Sequence, residues 1–383
     1  MTTKKPATVA ATNGVAQWDR YGAIVPPLQL SSTYAFEGYD KTSGYDYSRS
    51  ANPNRDLLAE TLAKLEEGVG AVVTASGMAA VDLALSQLGH GDTVVAPHDC
   101  YGGTYRLLAE RARRGDFRVT FVDQGDVAAL EAALKGAAQL FLETPSNPLM
   151  RVTDIRSACD LAHAAGAKVI VDNTFLSPAL QRPLTLGADF VVHSTTKFIN
   201  GHSDVVGGAV IAARADDLAP LVAWANTTGT IGAPFDAYMT LRGLRTLFVR
   251  IAQQERNAAA VAGFLRAQPQ AKAVHYPGLP DDPSHALAAS QQSGFGAMLS
   301  FELEGGIPAV QAFVAEIRIF TLAESLGGVE SLVAHPATMT HAAMGAEARA
   351  AAGIGDGLLR LSVGLEDADD LLGDLRRAFA AIA

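Results

Sequence analysis

Five short polar clusters each follow an apolar, mostly β-branched stretch: Ser76-Gly77-Met78, His98-Asp99-Cys100-Tyr101, Glu143-Thr144-Pro145-Ser146-Asn147 (after Leu140-Phe141-Leu142), Asp172-Asn173-Thr174 and Ser194-Thr195-Thr196-Lys197. Residues at the carboxyl ends of parallel strands converge on one cleft. A helix opening at Ser76-Gly77-Met78 would present free N–H groups and the positive end of its dipole, and Gly77 would let an anion come close. Ser194 and Thr196 could add hydroxyl donors. With Lys197 as an amine, Asp172 as a strand-end carboxylate and Tyr101 as an aromatic face, the set meets the needs of pyridoxal 5'-phosphate (PLP): phosphate anchor, Schiff-base lysine, pyridinium partner and stacking ring.

Each piece also has an ordinary reading. Ser76-Gly77 after a strand suits a plain helix N-cap. Asp172-Asn173 suits a turn, Lys197 a solvated surface lysine, and Tyr101 a half-buried loop tyrosine. Only their joint arrival at successive strand ends favours the cofactor. Gly353-Ile354-Gly355-Asp356-Gly357 resembles a dinucleotide fingerprint, but Leu358 stands where the pattern breaks and no strand precedes it. His193 and His202 flank the lysine without an HExxH pattern, so no metal site is expected. Glu324, beside Ser325-Leu326-Gly327-Gly328, is the remaining carboxylate of interest.

The elements that must position these groups follow from periodicity. Val72-Val73, Thr93–Val95, Val119–Val122, Leu140–Leu142, Val169–Val171, Phe190–Val192 and Val210-Ile211 read as buried strands of a mostly parallel sheet. Between them, Asp154–Ala165 places Ile155, Ala158, Cys159 and Ala162 at helical spacing, the pattern of a crossover helix. Such alternation predicts an α/β, doubly wound sheet. The first fifty-odd residues are instead rich in Gly, Pro, Ser and Tyr and read as an irregular arm. After Asp236 a long helical pattern runs through Leu241, Leu244 and Leu247 toward Phe264. Strands at Ala297–Phe301 and Leu358–Ser362 then mark a smaller C-terminal α/β domain.

Composition narrows the partners. The 383 residues carry 30 Lys+Arg against 40 Asp+Glu, a net charge of −10, which opposes binding to a phosphate backbone, so nucleic acid is not expected. No apolar run is long enough for a membrane span, and Cys100 and Cys159 are too few for a disulfide framework. A cytoplasmic protein without a membrane partner is expected.

The segments Tyr45–Pro53, Ala75–Ala79, Ala96–Arg106, Glu143–Pro148, Val171–Phe175, His193–Lys197, Gly201–Asp204, Ala323–Gly328 and Leu359–Ser362, in this order, resemble the Cys/Met-metabolism family of PLP-dependent enzymes nearly end to end. The resemblance implies the PLP-dependent transferase fold of the aspartate aminotransferase type I, with a mostly parallel seven-stranded sheet in its large domain. It divides the chain into an arm (1–55) that reaches a neighbouring subunit's active site, a large PLP-binding domain (56–248) and a C-terminal domain (249–383). It also implies a homotetramer, a dimer of dimers with active sites at the dimer interface.

By family position Lys197 anchors the cofactor, Asp172 pairs with the pyridine nitrogen and Tyr101 stacks on the ring. Gly77, Met78, Ser194 and Thr196 cradle the phosphate, completed by Tyr47 and Arg49 of the neighbouring subunit. Arg360, helped by Asn147 and Ser325, grips the α-carboxylate of an amino-acid substrate. Glu324 and Asp46 would meet an incoming ammonium, and Arg106 a succinyl carboxylate. Asn54 departs from the Thr that commonly follows Asn-Pro in the family.

The activity implied is γ-replacement in methionine biosynthesis and transsulfuration: O-succinyl-L-homoserine and L-cysteine give L-cystathionine and succinate. The alternatives are γ-elimination of cystathionine and sulfhydrylation of an O-acylhomoserine. A protein that holds the cofactor without turnover is the reading from another class.

Overall fold

The computed structural model describes residues 4–17 and 19–382, without the side chain of residue 343. Seven strands form the larger sheet: β1 (Gly70–Thr74), β2 (Thr93–Pro97), β3 (Arg118–Val122), β4 (Gln139–Glu143), β5 (Lys168–Asp172), β6 (Phe190–His193) and β7 (Gly208–Ala212). Their spatial order is β1-β7-β6-β5-β4-β2-β3. Each contains one of the β-branched runs. The strands from β6 through β5, β4 and β2 to β3 pair in parallel, while β7 is antiparallel to both β6 and β1. The reversal at β7 has a local cause: no crossover helix separates it from β6, and the loop bearing Lys197 turns the chain back directly.

Side-chain alternation divides the sheet between two helical layers. Val94, Phe141, Ile170, Val192 and Val210 pack with Leu83 of the helix Gly77–Ala84 and Leu221 of the helix Ala215–Thr228. On the other face Val95, Leu140, Leu142 and Val169 meet Leu130 of the helix Val127–Leu134 and Ile155 of the helix Ile155–Ala164. The expected crossover helix is present, capped by Asp154, whose carboxylate accepts the Ser157 N–H.

Five further strands form the smaller sheet, β8 (Ala271–His275), β9 (Met298–Leu303), β10 (Thr321–Leu322), β11 (Leu332–Ala334) and β12 (Leu358–Ser362), in the order β10-β11-β12-β9-β8. Its core is built on Phe301, Phe313, Leu361 and Phe379, all buried. The same cluster takes in Phe175, Leu176 and Phe198 from loops at the carboxyl edge of the larger sheet, so the smaller sheet seats on the edge where the polar clusters emerge.

Two local expectations are refined. The pattern from Asp236 toward Phe264 is two helices, Pro234–Leu244 and Leu247–Arg266, because the chain bends at Thr246 (φ −107°, ψ 7°). The guanidinium of Arg250 reinforces the bend by donating to the Gly243 carbonyl at 3.0 Å. Within the irregular N-terminal stretch a short helix, Pro6–Thr12, docks Ala10 against Leu57 and Leu58. Among the described residues between that helix and the helix Pro53–Glu66, the arm holds isolated bridges, Thr33 with Tyr47 and Gly38 with Lys41. Among the described residues no helix is long and apolar enough to cross a membrane.

Candidate active site at the carboxyl edge of the large sheet

A cavity of about 280 Å³ opens where β1, β4, β5 and β6 end, walled on the far side by loops of the smaller sheet. The residues lining it include Gly77, Met78, Tyr101, Asn147, Asp172, Ser194, Thr196, Lys197, Glu324, Ser325 and Arg360. Most of the residues expected from the sequence to share a site therefore do so.

The anion-binding end is formed by the helix Gly77–Ala84. Ser76 is spent as its N-cap, its Oγ accepting the Ala79 N–H at 3.1 Å, so the ordinary reading of Ser76 holds while the next N–H groups stay at the cavity. A Cβ on Gly77 would stand 2.6 Å from Ser194 Cβ. Only glycine lets the helix start and the Ser194 loop close to this distance. The Thr196 hydroxyl is engaged with the backbone of Gly207, donating at 3.2 Å and accepting at 3.0 Å, which pins the loop that carries it.

Lys197 lies on that loop and is largely buried; its Nζ donates to Ser325 Oγ at 2.7 Å. Burial and the positive charge of Arg360 lower its pKa from 10.5 to about 8, partly offset by Glu324. A neutral amine is therefore accessible near neutrality, as a lysine that must attack a carbonyl requires. Asp172 closes β5 and accepts the Thr174 N–H at 3.0 Å. Burial pushes its carboxyl above the usual range, an effect opposed by its hydrogen bonds with Thr174 and by His193. A cation placed against it would be strongly favoured. Tyr101 is the N-cap residue of the helix Gly102–Arg114 and is 40% exposed, with its ring at the cavity. A Cβ at Gly103 would lie 2.5 Å from Tyr101 Cε1, so glycine there lets the ring lie back over the helix start.

On the opposite wall Arg360, in β12, is 2% exposed. Its Nη1 donates to Asn147 Oδ1 at 3.0 Å and its Nη2 to the Ser325 carbonyl at 2.9 Å. Its buried Nε has no partner among the described residues, and burial lowers the guanidinium pKa to about 10. A buried cation with a free donor and no carboxylate partner is a ready site for a carboxylate ligand. Ser325 adopts φ +90°, a conformation disfavoured for a residue with a Cβ; it presents its hydroxyl to Lys197 and its carbonyl to Arg360. The exposed Glu324 stands at the rim.

Four expected residues lie elsewhere. Asp46, Tyr47 and Arg49 sit on the arm and do not line this chain's cavity; Arg49 donates to the carbonyl and side-chain oxygens of Asn226 at 2.6 and 2.9 Å. Arg106 is exposed on the helix Gly102–Arg114, also outside the cavity. Conversely Glu143, Thr174, Phe175 and Thr340 line it without having been singled out. Glu143 and Thr174 fell within the polar strand-end clusters; Phe175 and Thr340 carried no chemical signal of their own.

The donor set fits PLP: a glycine-lined helix start for a phosphate, a buried amine of lowered pKa, and a carboxylate of raised pKa to which, among the described residues, no cationic side chain is bonded. The model for "Cys/Met metabolism PLP-dependent enzyme" matches residues 7–380. The chain belongs to this family. Members similar to it include a cystathionine γ-synthase of Escherichia coli strain K12, 55% identical over 381 residues covering 99% of each chain. A cystathionine γ-lyase of Bacillus subtilis strain 168 is 42% identical over 99% of this chain and 100% of its own. A crystal structure of cystathionine γ-synthase from Xanthomonas oryzae pv. oryzae in complex with cystathionine superposes with a TM-score of 0.98 at 56% identity, covering 100% of this chain and 99% of that one. The expected architecture is thereby established: this Cys/Met-family chain has the type I PLP-dependent transferase fold.

Proposed function

We propose that the chain joins O-succinyl-L-homoserine and L-cysteine into L-cystathionine, releasing succinate, as a cystathionine γ-synthase does. The observation that carries this reading is the 55% identity to a γ-synthase over 99% of both chains. A γ-lyase matched over the same share of this chain is only 42% identical.

PLP supplies, when bound, an electrophilic carbon for an amino group and an electron-withdrawing ring. The Gly77 and Met78 N–H groups, with the Ser194 hydroxyl, would hold its phosphate, and the Thr196 hydroxyl would join them by exchanging its donation to the Gly207 carbonyl for one to the phosphate. Asp172 keeps a proton on the ring nitrogen by placing a desolvated negative charge against it. Tyr101 stacks on the ring face. Lys197 would hold the cofactor covalently and would serve as the base that carries protons at Cα and Cβ of a bound amino acid. Its lowered pKa supports that role. Arg360 grips the α-carboxylate, with Asn147 orienting the guanidinium and Ser325 steadying both Arg360 and Lys197.

Tyr47 and Arg49 are assigned to a neighbouring subunit. Tyr47 and Arg49 complete the phosphate site of a second copy, Asp46 joins Glu324 in meeting the ammonium of cysteine, and Arg106 meets the succinyl carboxylate. Support comes from the arm: Tyr21, Ile24, Leu30, Phe36 and Tyr39 are exposed on it, an apolar surface that a second copy would cover. The assembly is a homotetramer of two such dimers, each subunit comprising the arm 1–55, the PLP-binding domain 56–248 and the C-terminal domain 249–383. The free, buried Cys100 and Cys159 suit the reducing cytoplasm.

The test mixes purified protein with O-succinyl-L-homoserine and L-cysteine in one tube and with L-cystathionine alone in another. Products are identified by mass spectrometry. Rapid cystathionine formation in the first and little 2-oxobutyrate in the second is the expected result. Cystathionine broken down with no synthesis would assign γ-elimination instead.

A further inference from the structure

We infer that Glu143 is a positioning residue that sets the stacking ring and the α-carboxylate clamp from a single point; this rests on the roles proposed above for Tyr101, Asn147 and Arg360. Glu143 is the last residue of β4 and is 6% exposed. No step of the proposed reaction uses it. Its Oε2 accepts the Tyr101 N–H at 2.9 Å, and its Oε1 accepts the Asn147 N–H at 3.0 Å. Asn147 in turn accepts from Arg360 Nη1 at 3.0 Å. One carboxylate thus joins the loop after β2, the loop after β4 and, through Asn147, the guanidinium on β12.

The choice of a carboxylate is informative because it is an unfavourable one. Glu143 lies directly opposite Asp172 in the β4–β5 register. Burial first, then the neighbouring Asp172 and Asp99 charges, push its carboxyl well above the usual range, against the pull of the two N–H donors that favour the ionised form. A glutamine would avoid a second buried negative charge, but its amide has one acceptor oxygen and would turn an NH₂ group against one of the two N–H groups. Only the carboxylate accepts both donors, and so holds both loops at a common origin.

The experiment compares PLP-loaded Glu143→Gln with PLP-loaded wild type. Displacing Tyr101 or Asn147 should change the visible circular dichroism of the bound cofactor, a readout that needs no turnover. The KM for O-succinyl-L-homoserine should rise about tenfold, the size of one lost charge-assisted hydrogen bond, with a smaller fall in kcat. Combining Glu143→Gln with Asn147→Ala should raise KM by less than the product of the single effects, because both act on the same guanidinium. Unchanged dichroism together with unchanged KM, or fully multiplicative effects, would overturn the inference. Should Glu143→Gln fail to fold, Glu143→Asp keeps both acceptor oxygens on a stem one methylene shorter. It should then show the same spectral and KM changes in smaller measure, and wild-type behaviour of that variant overturns the inference equally. Wild type run in parallel separates the two questions: its failure to turn over O-succinyl-L-homoserine counts against the proposed reaction, whereas a dichroism difference bears on Glu143 alone.

Discussion

Gly77 and Ser194 approach backbone to backbone, so that a methyl group on Gly77 would meet Ser194 Cβ at 2.6 Å and its Cα at 2.9 Å. Neither contact involves a flexible side-chain end that could swing away. Gly77→Ala must therefore push the helix start from the Ser194 loop, widening the phosphate cradle at a cost of about 1–3 kcal/mol for the overpacking. The expected outcome is a dissociation constant for PLP raised about tenfold or more, measured by fluorescence titration of cofactor-free protein, with near-native far-UV dichroism.

Lys197 must be neutral to react with PLP, and its pKa is lowered to about 8 from 10.5. Below that value the ammonium form predominates, and above it the amine. The rate of cofactor loading into cofactor-free protein should climb with pH and level off just above 8, well before an ordinary lysine would. Glu324 is the negative charge that favours the ammonium, so Glu324→Gln should move the midpoint to lower pH. Stopped-flow absorbance across pH 6–10, the range that brackets the expected midpoint, reads both profiles.

Arg360 offers a planar fork already oriented by Asn147 and the Ser325 carbonyl. Arg360→Lys keeps the charge and loses the fork. KM for O-succinyl-L-homoserine should rise by roughly 10–100-fold, as expected for about 1.5–3 kcal/mol of charge-assisted hydrogen bonding, while PLP absorbance stays that of wild type.

If Arg49 serves a neighbouring subunit's site, Lys197→Ala and Arg49→Ala bring both defects into the same site of a mixed dimer and leave its other site intact. Each protein alone should be nearly inactive. Co-refolded at equal amounts, they should recover about a quarter of the wild-type sites, since half the dimers are hybrids with one intact site. No recovery would place Arg49 in its own chain's site.

Phe313 is fully buried, with its ring 5.5 Å from that of Phe301 and 5.3 Å from that of Phe379. Phe313→Ala should destabilise the smaller sheet and its helices by about 3–5 kcal/mol, measured by urea denaturation. Arg360 lies in β12 of that sheet, so substrate affinity should weaken at denaturant concentrations where PLP is still held.

The strands were legible because each run of Val, Ile and Phe is short, apolar and bounded by polar or glycine residues. Val169–Val171 and β5 (Lys168–Asp172) differ by one residue at each end. The polar ends were legible for the same reason: side chains just past a parallel strand have no ladder to join and face a common edge. Less legible was the break at Thr246, because Leu241, Leu244 and Leu247 keep helical spacing across it and the bend depends on an Arg250 contact made in the folded chain. Thr340 was invisible, being brought to the cavity by a loop between β11 and β12 far along the sequence.

The sequence by itself determined the element types and the carboxyl edge as the place where the polar clusters gather, and it offered the candidate PLP-binding residues, since these depend on local periodicity and residue chemistry. Tertiary structure alone decided that Arg360 meets Asn147, that Ser325 faces Lys197 and that Glu143 unites Tyr101 with Asn147. It also left Arg106 and the arm residues outside their own chain's cavity. Arg360 with Asn147 and Ser325 with Lys197 are far apart in the chain, and only the packing of the smaller sheet on the larger brings them within hydrogen-bond reach, whereas Glu143 meets Tyr101 because β2 and β4 pair within the larger sheet.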